Sequence, residues 1–214
     1  MHRSRFLPLA FLTLAFWMAP IQLVQSDDQS QTQSPKKVNA QDTKENKDSP
    51  DRRPDVVYWP TPQNVVDKML ELAEVKKGDV VYDLGCGDAR ILVTAAKKYG
   101  VKGFGYDIDP ERIKDSLENV KKNNVENLVT IKRADIFTLD LKDANVVTLY
   151  LLPDLNVKLM PQLEKLKPGS RIVSHDFDMK GAKPKQTVTL KAKNHMGIEG
   201  EHKVYLWVVP WEKE

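Results

Sequence analysis

The most informative segment of the chain reads Val80-Val81-Tyr82-Asp83-Leu84-Gly85-Cys86-Gly87-Asp88-Ala89-Arg90. It begins as a short apolar strand that ends in an acid, continues as a turn with two glycines, and enters a helical pattern. Gly85 and Gly87 let the backbone turn sharply and approach a ligand closely, because neither carries a Cβ. The turn would also bring that ligand to the N-terminal end of a helix. The pattern therefore predicts a strand–turn–helix unit with a ligand at the turn.

The acids around this turn indicate what kind of ligand it takes. Asp107 follows the next predicted strand, where a ribose would need a carboxylate for its hydroxyls. A dinucleotide fingerprint would have its third glycine where Arg90 stands. Asp83, directly before the turn, would also lie unfavourably close to a pyrophosphate. These residues favour a nucleotide-type cofactor that carries a positive charge and an ammonium group.

Asp83, Gly85, Gly87 and Ala89 resemble motif I of the class I S-adenosylmethionine-dependent methyltransferases, Asp-x-Gly-x-Gly-x-Gly, with alanine in place of the last glycine. The resemblance implies that S-adenosyl-L-methionine is the cofactor. It also implies a role for each residue of the predicted cofactor site. Asp83 would bind the ammonium side of the cofactor, and the backbone of Gly85, Cys86 and Gly87 would bind its carboxylate. Asp107 would bind the ribose hydroxyls, Ile108 and Ile136 would pack on the adenine, and Asp135 would accept from the adenine amine.

From residue 55 onward, strand and helix patterns alternate. Strands are predicted at 80–84, 102–107, 128–133, 144–151 and 171–177, and helices at about 62–78, 89–99, 110–122 and 157–165. Thr61 is predicted to cap the first helix. The last two strands, 186–192 and 202–209, have no room for a helical crossover and should form an antiparallel hairpin. The fold class is therefore α/β: a doubly wound, mostly parallel seven-stranded sheet with a C-terminal hairpin, Rossmann-like as in class I methyltransferases.

Two further segments suggest a narrower relationship. Tyr58-Trp59-Pro60-Thr61-Pro62 precedes the first helix, and the segment 145–153 around the fourth predicted strand runs through Tyr150 to Pro153, ahead of the next helix. Together with motif I, they look like the small protein-lysine methyltransferase family that includes the mitochondrial ATP synthase c-subunit lysine methyltransferase. The resemblance implies that the segment holding Thr61 lies over the cofactor. Tyr58 and Tyr150 are predicted to line an aromatic acceptor channel for a lysine amine. Alternatively, Tyr58 and Trp59 only pack as a hydrophobic staple onto the first helix.

Other functions stay open at this level. The chain could methylate a small molecule, or it could bind S-adenosylmethionine without catalysis. Nucleic acid is not expected as a partner, because 33 basic residues nearly balance 30 acidic ones and the 145–153 strand lacks the Asn/Asp-Pro-Pro-Tyr/Phe signature. The partner is therefore a protein lysine or a small-molecule acceptor. No metal is predicted, since the four histidines show no metal-ligand spacing, and His175 beside Asp176 is more typical of a structural histidine.

The N-terminal part of the chain differs in composition from the rest. A short basic start, an apolar run over residues 6–24 and the site Val24-Gln25-Ser26 predict a signal peptide over 1–26 and export of the protein. The alternative is a retained membrane anchor, with membrane association through residues 6–24. Residues 27–54 contain almost nothing apolar and predict a disordered linker, which leaves 55–214 as the methyltransferase domain.

Overall fold

The computed structural model describes residues 52–214 of the 214-residue chain. The predictions for the signal peptide and for linker residues 27–51 lie outside the described residues. The helices are α1 (Gln63–Leu72), α2 (Arg90–Tyr99), α3 (Pro110–Lys122) and α4 (Pro153–Leu163). The strands are β1 (Val80–Leu84), β2 (Lys102–Asp107), β3 (Val129–Arg133), β4 (Val146–Leu149), β5 (Arg171–His175), β6 (Gln186–Lys193) and β7 (Glu199–Val208). Within this range, every helix is too short or too polar to cross a bilayer.

The seven strands form one sheet in the order β3-β2-β1-β4-β5-β7-β6. Strands β1 to β5 run parallel, and β7 lies antiparallel between β5 and β6. This confirms the predicted fold class, including the C-terminal hairpin. The strand order reverses at β1, so the carboxyl ends of β1, β2 and β4 meet beside the switch point, where open sheets of this kind bind ligands.

The central strands β1, β4 and β5 are buried on both faces, as expected for parallel strands with helices on each side. Neighbouring strand residues alternate between two apolar clusters: Val81 and Val146 pack with α1 and α2, while Tyr82 and Val147 pack with α4 and Trp207. This alternation follows from the two-residue period of a strand. The double burial holds β1 and β4 in place and thereby fixes the residues at their carboxyl ends.

The structure corrects one detail at the start of α1. Pro62, not Thr61, occupies the N-cap position, and the Thr61 hydroxyl lies 3.2 Å from Nδ1 of His175 instead. The prediction of a Thr61 cap was therefore wrong, because a buried imidazole 114 residues away takes the hydroxyl. Helix α1 also ends at Leu72, short of the predicted Gly78, and α4 begins at Pro153 rather than Val157. Proline is well suited to that first helical position, because it has no N–H to leave unpaired.

Candidate active site and cofactor pocket

An open cavity of about 890 Å³ lies at the carboxyl ends of β1, β2 and β4. The predicted site residues that line it are Tyr58, Thr61, Asp83, Gly85, Cys86, Gly87, Asp107, Ile108, Ile136 and Tyr150. The fold thus brings together residues from five separate parts of the chain. Their individual roles stay predictions. Their position around one cavity is a feature of the structure itself. The remaining predicted residue, Asp135, directly precedes the cavity-lining Ile136.

The turn after β1 is built from left-handed backbone. Gly85 and Gly87 have φ of 80° and 55°, and Ala89 has φ of 59°. A Cβ on Gly87 would lie 2.4 Å from Cε2 of Tyr58, so only glycine lets that ring pack over the turn. The amides of Gly85 and Cys86 donate to the Tyr106 carbonyl at 2.8 and 3.0 Å.

The turn amides were predicted to bind the cofactor's carboxylate, and the structure gives them another use. Besides the two bonds to Tyr106, the Gly87 amide donates to Oδ2 of Asp107 at 3.0 Å. These bonds shape the turn and orient the Asp107 carboxylate. The two glycines also allow the backbone to approach a ligand closely. Binding of the cofactor's carboxylate by the turn amides stays a prediction.

Asp83 is the most deeply buried acid of the cavity. Its side chain accepts a hydrogen bond from the Thr148 hydroxyl at 2.6 Å, and the residue is 3% exposed. Burial raises the pKa of Asp83 to about 7; Thr148 opposes this shift, and the negative charge of Asp107 adds to it. A cation placed beside Asp83 would relieve this unfavourable burial. The site therefore fits a cofactor with an ammonium group and a sulfonium.

Asp107 is fixed at the end of β2. Its Oδ2 accepts from Gly87, and its Oδ1 accepts from the Asp109 amide at 3.0 Å. Burial raises its pKa, although these amide bonds oppose the shift. Ile108 and Ile136 line the same cavity as apolar walls. A fixed carboxylate in a cavity with apolar walls suits a ribose joined to a flat base.

Asp135 is paired with an arginine, Arg52, that the sequence did not indicate. Arg52 donates to both of its oxygens, from Nε at 2.7 Å and from Nη2 at 3.1 Å, and Arg52 itself lines the cavity. Asp135 also accepts from the Phe137 amide at 3.0 Å, which starts the short 3₁₀ helix Ile136–Thr138. Burial raises the pKa of Asp135, but the Arg52 hydrogen bonds outweigh it and hold that pKa below its usual range. Arg52 lies in the predicted linker, 83 residues from its partner, so no local pattern could reveal the contact.

Two more arginines hold the 52–61 segment over the turn. Arg90 pairs with Asp88 at 2.6 Å and donates from Nη1 to the Thr61 carbonyl at 3.0 Å. The Arg112 guanidinium lies 4.6 Å from the centre of the Tyr58 ring, in a cation–π contact. Tyr58 is therefore placed beside the cofactor turn, with one contact to Gly87 and another to Arg112.

On the other side of the cavity, Tyr150 packs on a buried histidine. The ring centres of Tyr150 and His175 are 3.9 Å apart, and His175 is fully buried. Nε2 of His175 lies 2.9 Å from Nδ1 of His202 and 3.2 Å from Oδ2 of Asp176, which is itself 2.9 Å from His202. These three donor atoms converge closely enough to hold a metal ion. Sequence spacing gave no sign of this cluster, because β7 brings His202 across from a distant part of the chain.

Comparison with known proteins agrees with this architecture. A family model described as the ANTKMT methyltransferase domain matches residues 83–186. A protein-lysine N-methyltransferase of Saccharolobus islandicus is 46% identical over 158 residues, which cover 73% of this chain and 95% of the relative. A crystal structure described as an RNA methyltransferase from Salinibacter ruber, in complex with S-adenosyl-L-homocysteine, is 47% identical with a TM-score of 0.65. That match covers 72% of this chain and 95% of the solved one.

The sheet order, the acid-lined turn and these relatives define an enzyme class: this protein is a class I S-adenosylmethionine-dependent methyltransferase. Within that class, the chain belongs to the family of the Saccharolobus islandicus protein-lysine N-methyltransferase, and its residues 83–186 match the ANTKMT methyltransferase domain.

Proposed function

We propose that this methyltransferase acts on lysine side chains of proteins. When bound, the cofactor supplies a methyl group on a sulfonium, which a neutral amine can displace in line. The observation that carries the proposal is the charge of the cavity. Five carboxyl groups and three guanidinium groups line it. This excess of acidic over basic groups favours the approach of a cationic side chain.

The pairing of the arginines strengthens this argument. Within the described chain, the three cavity arginines are all engaged: Arg52 with Asp55 and Asp135, Arg90 with Asp88, and Arg112 with Asp115. Nucleic acid binding depends on lysine and arginine side chains that can pair with the phosphates of the backbone. A site whose guanidinium groups already face carboxylates offers little to a phosphate. An amine acceptor therefore fits the cavity better than RNA, the substrate class ascribed to the Salinibacter ruber protein.

The aromatic side chains suit the same substrate. Tyr150 is half-buried at the cavity, and burial raises its pKa to about 12, with a further contribution from Asp176, so its hydroxyl stays neutral. A tyrosine face stabilises a methylated ammonium. The surrounding apolar walls would also lower the pKa of an entering lysine, which must be neutral before it attacks. Tyr150 is the acceptor wall that the geometry favours, with Tyr58 closer to the turn.

The acceptor class can be tested with the full chain. The protein is incubated with host lysate and cofactor labelled on the methyl group, and the label is separated into protein, RNA and small-molecule fractions. The expected result is label in protein that acid hydrolysis releases as methyllysine. Label in RNA, in small molecules, or only in arginine or carboxyl groups would contradict the lysine proposal and leave the methyltransferase class intact.

We further propose that the protein is exported through residues 1–26, with membrane attachment through residues 6–24 as the alternative. The basic start, the apolar run and the small residues around Ser26 support export. N-terminal sequencing of the protein isolated from its host should then begin near Asp27. A chain that still starts at Met1 and sediments with membranes would favour the anchor.

A further inference from the structure

A hydroxyl, an imidazole and a carboxylate are aligned beside the cavity. Thr61 lines the cavity, and its Oγ1 lies 3.2 Å from Nδ1 of His175. The opposite nitrogen of that ring, Nε2, lies 3.2 Å from Oδ2 of Asp176 and 2.9 Å from Nδ1 of His202. Tyr150 covers the face of the ring. The Thr61 hydroxyl thus links an acceptor bound in the cavity to the imidazole of His175, which is buried and out of direct reach.

We propose that Thr61, His175 and Asp176 together form the general base that takes the proton from the acceptor amine. This inference rests on the proposed lysine acceptor, because an ammonium group must lose a proton before it can accept a methyl group. The arrangement of hydroxyl, imidazole and carboxylate follows the logic of the serine protease triad, here used for proton transfer alone.

The proton balance of the step is complete. An N–H bond of the ammonium breaks and a new O–H bond forms at Thr61, while the original hydroxyl proton of Thr61 moves to Nδ1 of His175. His175 becomes an imidazolium whose charge faces the Asp176 carboxylate. After the methylated product leaves, water entering the open cavity takes the proton back along the same path. Each turnover releases one proton to solvent, and His175 keeps its Nε2 proton throughout.

The backbone around Asp176 supports this assignment. Asp176 has φ of 57°, a conformation that aspartate tolerates only with strain. Its amide donates to the Lys203 carbonyl at 2.7 Å, and its Oδ1 accepts from the Lys203 amide at 2.8 Å. These bonds hold the other oxygen, Oδ2, towards His175 and His202. The left-handed backbone and these bonds together direct the Asp176 carboxylate towards the two imidazoles.

The charges around the ring favour a neutral base at physiological pH. The groups that face His175 are Thr61, Tyr150, His202 and Asp176. Burial lowers the pKa of His175, and Asp176 opposes the shift. Burial raises the pKa of Asp176, but hydrogen bonds from His175 and the Lys203 amide bring it down to about 2, so this residue stays ionised. A neutral imidazole beside a fixed carboxylate can accept a proton and stabilise the resulting cation.

The first test is the pH profile of the variant Thr61→Val, which removes the hydroxyl and keeps the side-chain shape. The probe is an N-acetylated synthetic peptide with a single lysine. At pH 7 we expect kcat to fall about 100-fold, within the usual range for general-base catalysis. The deficit should shrink as the pH approaches 10, because free lysine is then increasingly neutral in solution. Thr61→Ser, the matched control, should keep most of the activity and the wild-type profile.

A loss in Thr61→Val that is equal at all pH values would overturn the proposal, since it would indicate only a positioning or cofactor-binding role. Unchanged activity in this variant would overturn it as well. If the wild-type protein does not methylate the peptide or any protein lysine, the proposed function itself fails. The two failures are therefore distinguishable.

The second test does not depend on activity. Nitrogen NMR of the imidazoles in the full chain should show His175 with its proton on Nε2 and a bare Nδ1 facing Thr61. Asp176→Asn keeps the backbone conformation, which asparagine also tolerates, and should weaken the preference for Nε2–H. A proton on Nδ1 of His175 in the wild type would contradict the proposal, because that nitrogen could not then accept one from Thr61.

The third test separates a proton-transfer role from metal binding, the other use that the cluster allows. Elemental analysis of the purified protein should find no stoichiometric transition metal, and a chelator should leave the methylation rate unchanged. A bound metal that disappears in His202→Ala would mean that Nε2 of His175 is a ligand atom, and the general-base assignment would fall.

Discussion

At the scale of single residues, Asp83 shows a conflict between folding and binding. In the unfolded chain its carboxyl ionises near the ordinary value of 3.8, whereas burial raises the folded pKa to about 7. Between these values the folded state keeps a proton that the unfolded state has lost. Stability therefore falls as the pH rises through this window, and the loss is complete above pH 7.

Asp83→Asn should accordingly stabilise the protein while removing cofactor binding. We expect the free energy of unfolding to rise by at least about 1 kcal/mol at pH 8, roughly the value of one pKa unit, and by less at pH 5. Urea unfolding at the two pH values measures this, and calorimetry with S-adenosylhomocysteine measures binding. Asp143→Asn, a change at an exposed acid, is the control. An equal gain at both pH values would contradict the explanation.

Ala89 offers a second test at this scale. It replaces the last glycine of the motif, yet its backbone is left-handed and its methyl group is fully buried. Ala89→Gly should relieve about 1 kcal/mol of backbone strain and lose about 0.8 kcal/mol of methyl burial. The two effects nearly cancel, so urea unfolding should show a change within about 0.5 kcal/mol. Ala96→Gly, inside helix α2, should in contrast lose at least about 1 kcal/mol.

At the scale of elements, the 52–61 segment acts as a cover for the turn. It has no helix or strand, and side-chain contacts hold it: Arg52 to Asp135, Arg90 to the Thr61 carbonyl, and Arg112 over Tyr58. Trp59 adds an edge contact with His195 of the β6–β7 loop, with ring centres 4.3 Å apart. A segment held this way should depend strongly on each anchoring side chain.

Arg52→Ala should therefore loosen this segment without unfolding the sheet. We expect chymotrypsin to cleave the segment faster after Tyr58, while the amides of β1 and β4 keep their protection from deuterium exchange. Arg53→Ala removes a neighbouring exposed arginine and should change neither region. If the segment were cleaved at the same rate in both variants, the Arg52–Asp135 contact would not be what holds it.

At the scale of the whole molecule, three carboxylates link stability to acid pH. Burial raises the pKa values of Asp88, Asp135 and Asp176, but hydrogen bonds outweigh burial and lower all three. Asp88 accepts from Arg90, and Asp135 accepts from Arg52. Asp176 accepts from His175 and from the Lys203 amide. A depressed pKa contributes stability that is present above the unfolded value near 4 and is lost as the pH falls through the folded value. The Asp83 effect runs in the opposite direction, at higher pH.

We therefore expect urea midpoints to decline steeply between pH 5 and pH 3. Asp176→Asn should start from a lower midpoint at pH 7 and decline less over this interval, because one of the three linked carboxylates is gone. Asp143→Asn should follow the wild type. A wild-type slope in Asp176→Asn would mean that the Asp176 carboxylate is not coupled to folding.

The sheet, the turn and the acids at the strand ends could all be predicted from local sequence. Each depends on local pattern: the two-residue alternation of strands, the glycines where φ is positive, and acids such as Asp83 and Asp107 directly after strands. In a parallel sheet the carboxyl ends of neighbouring strands meet by geometry, so placing an acid at the end of each strand already places the acids together. The ends of the helices could not all be predicted from local pattern, because a capping side chain can bind another partner in the folded chain.

The contacts between side chains far apart in the chain became known only from the three-dimensional structure. Arg52 reaches Asp135 over 83 residues, and Thr61 reaches His175 over 114. His202 joins Asp176 because β7 inserts antiparallel beside β5, with His175 opposite Val204. No local period encodes such contacts, since they follow from strand order and register, which the packing of the whole chain sets. The same packing makes Thr61 a partner of a buried imidazole rather than a helix cap.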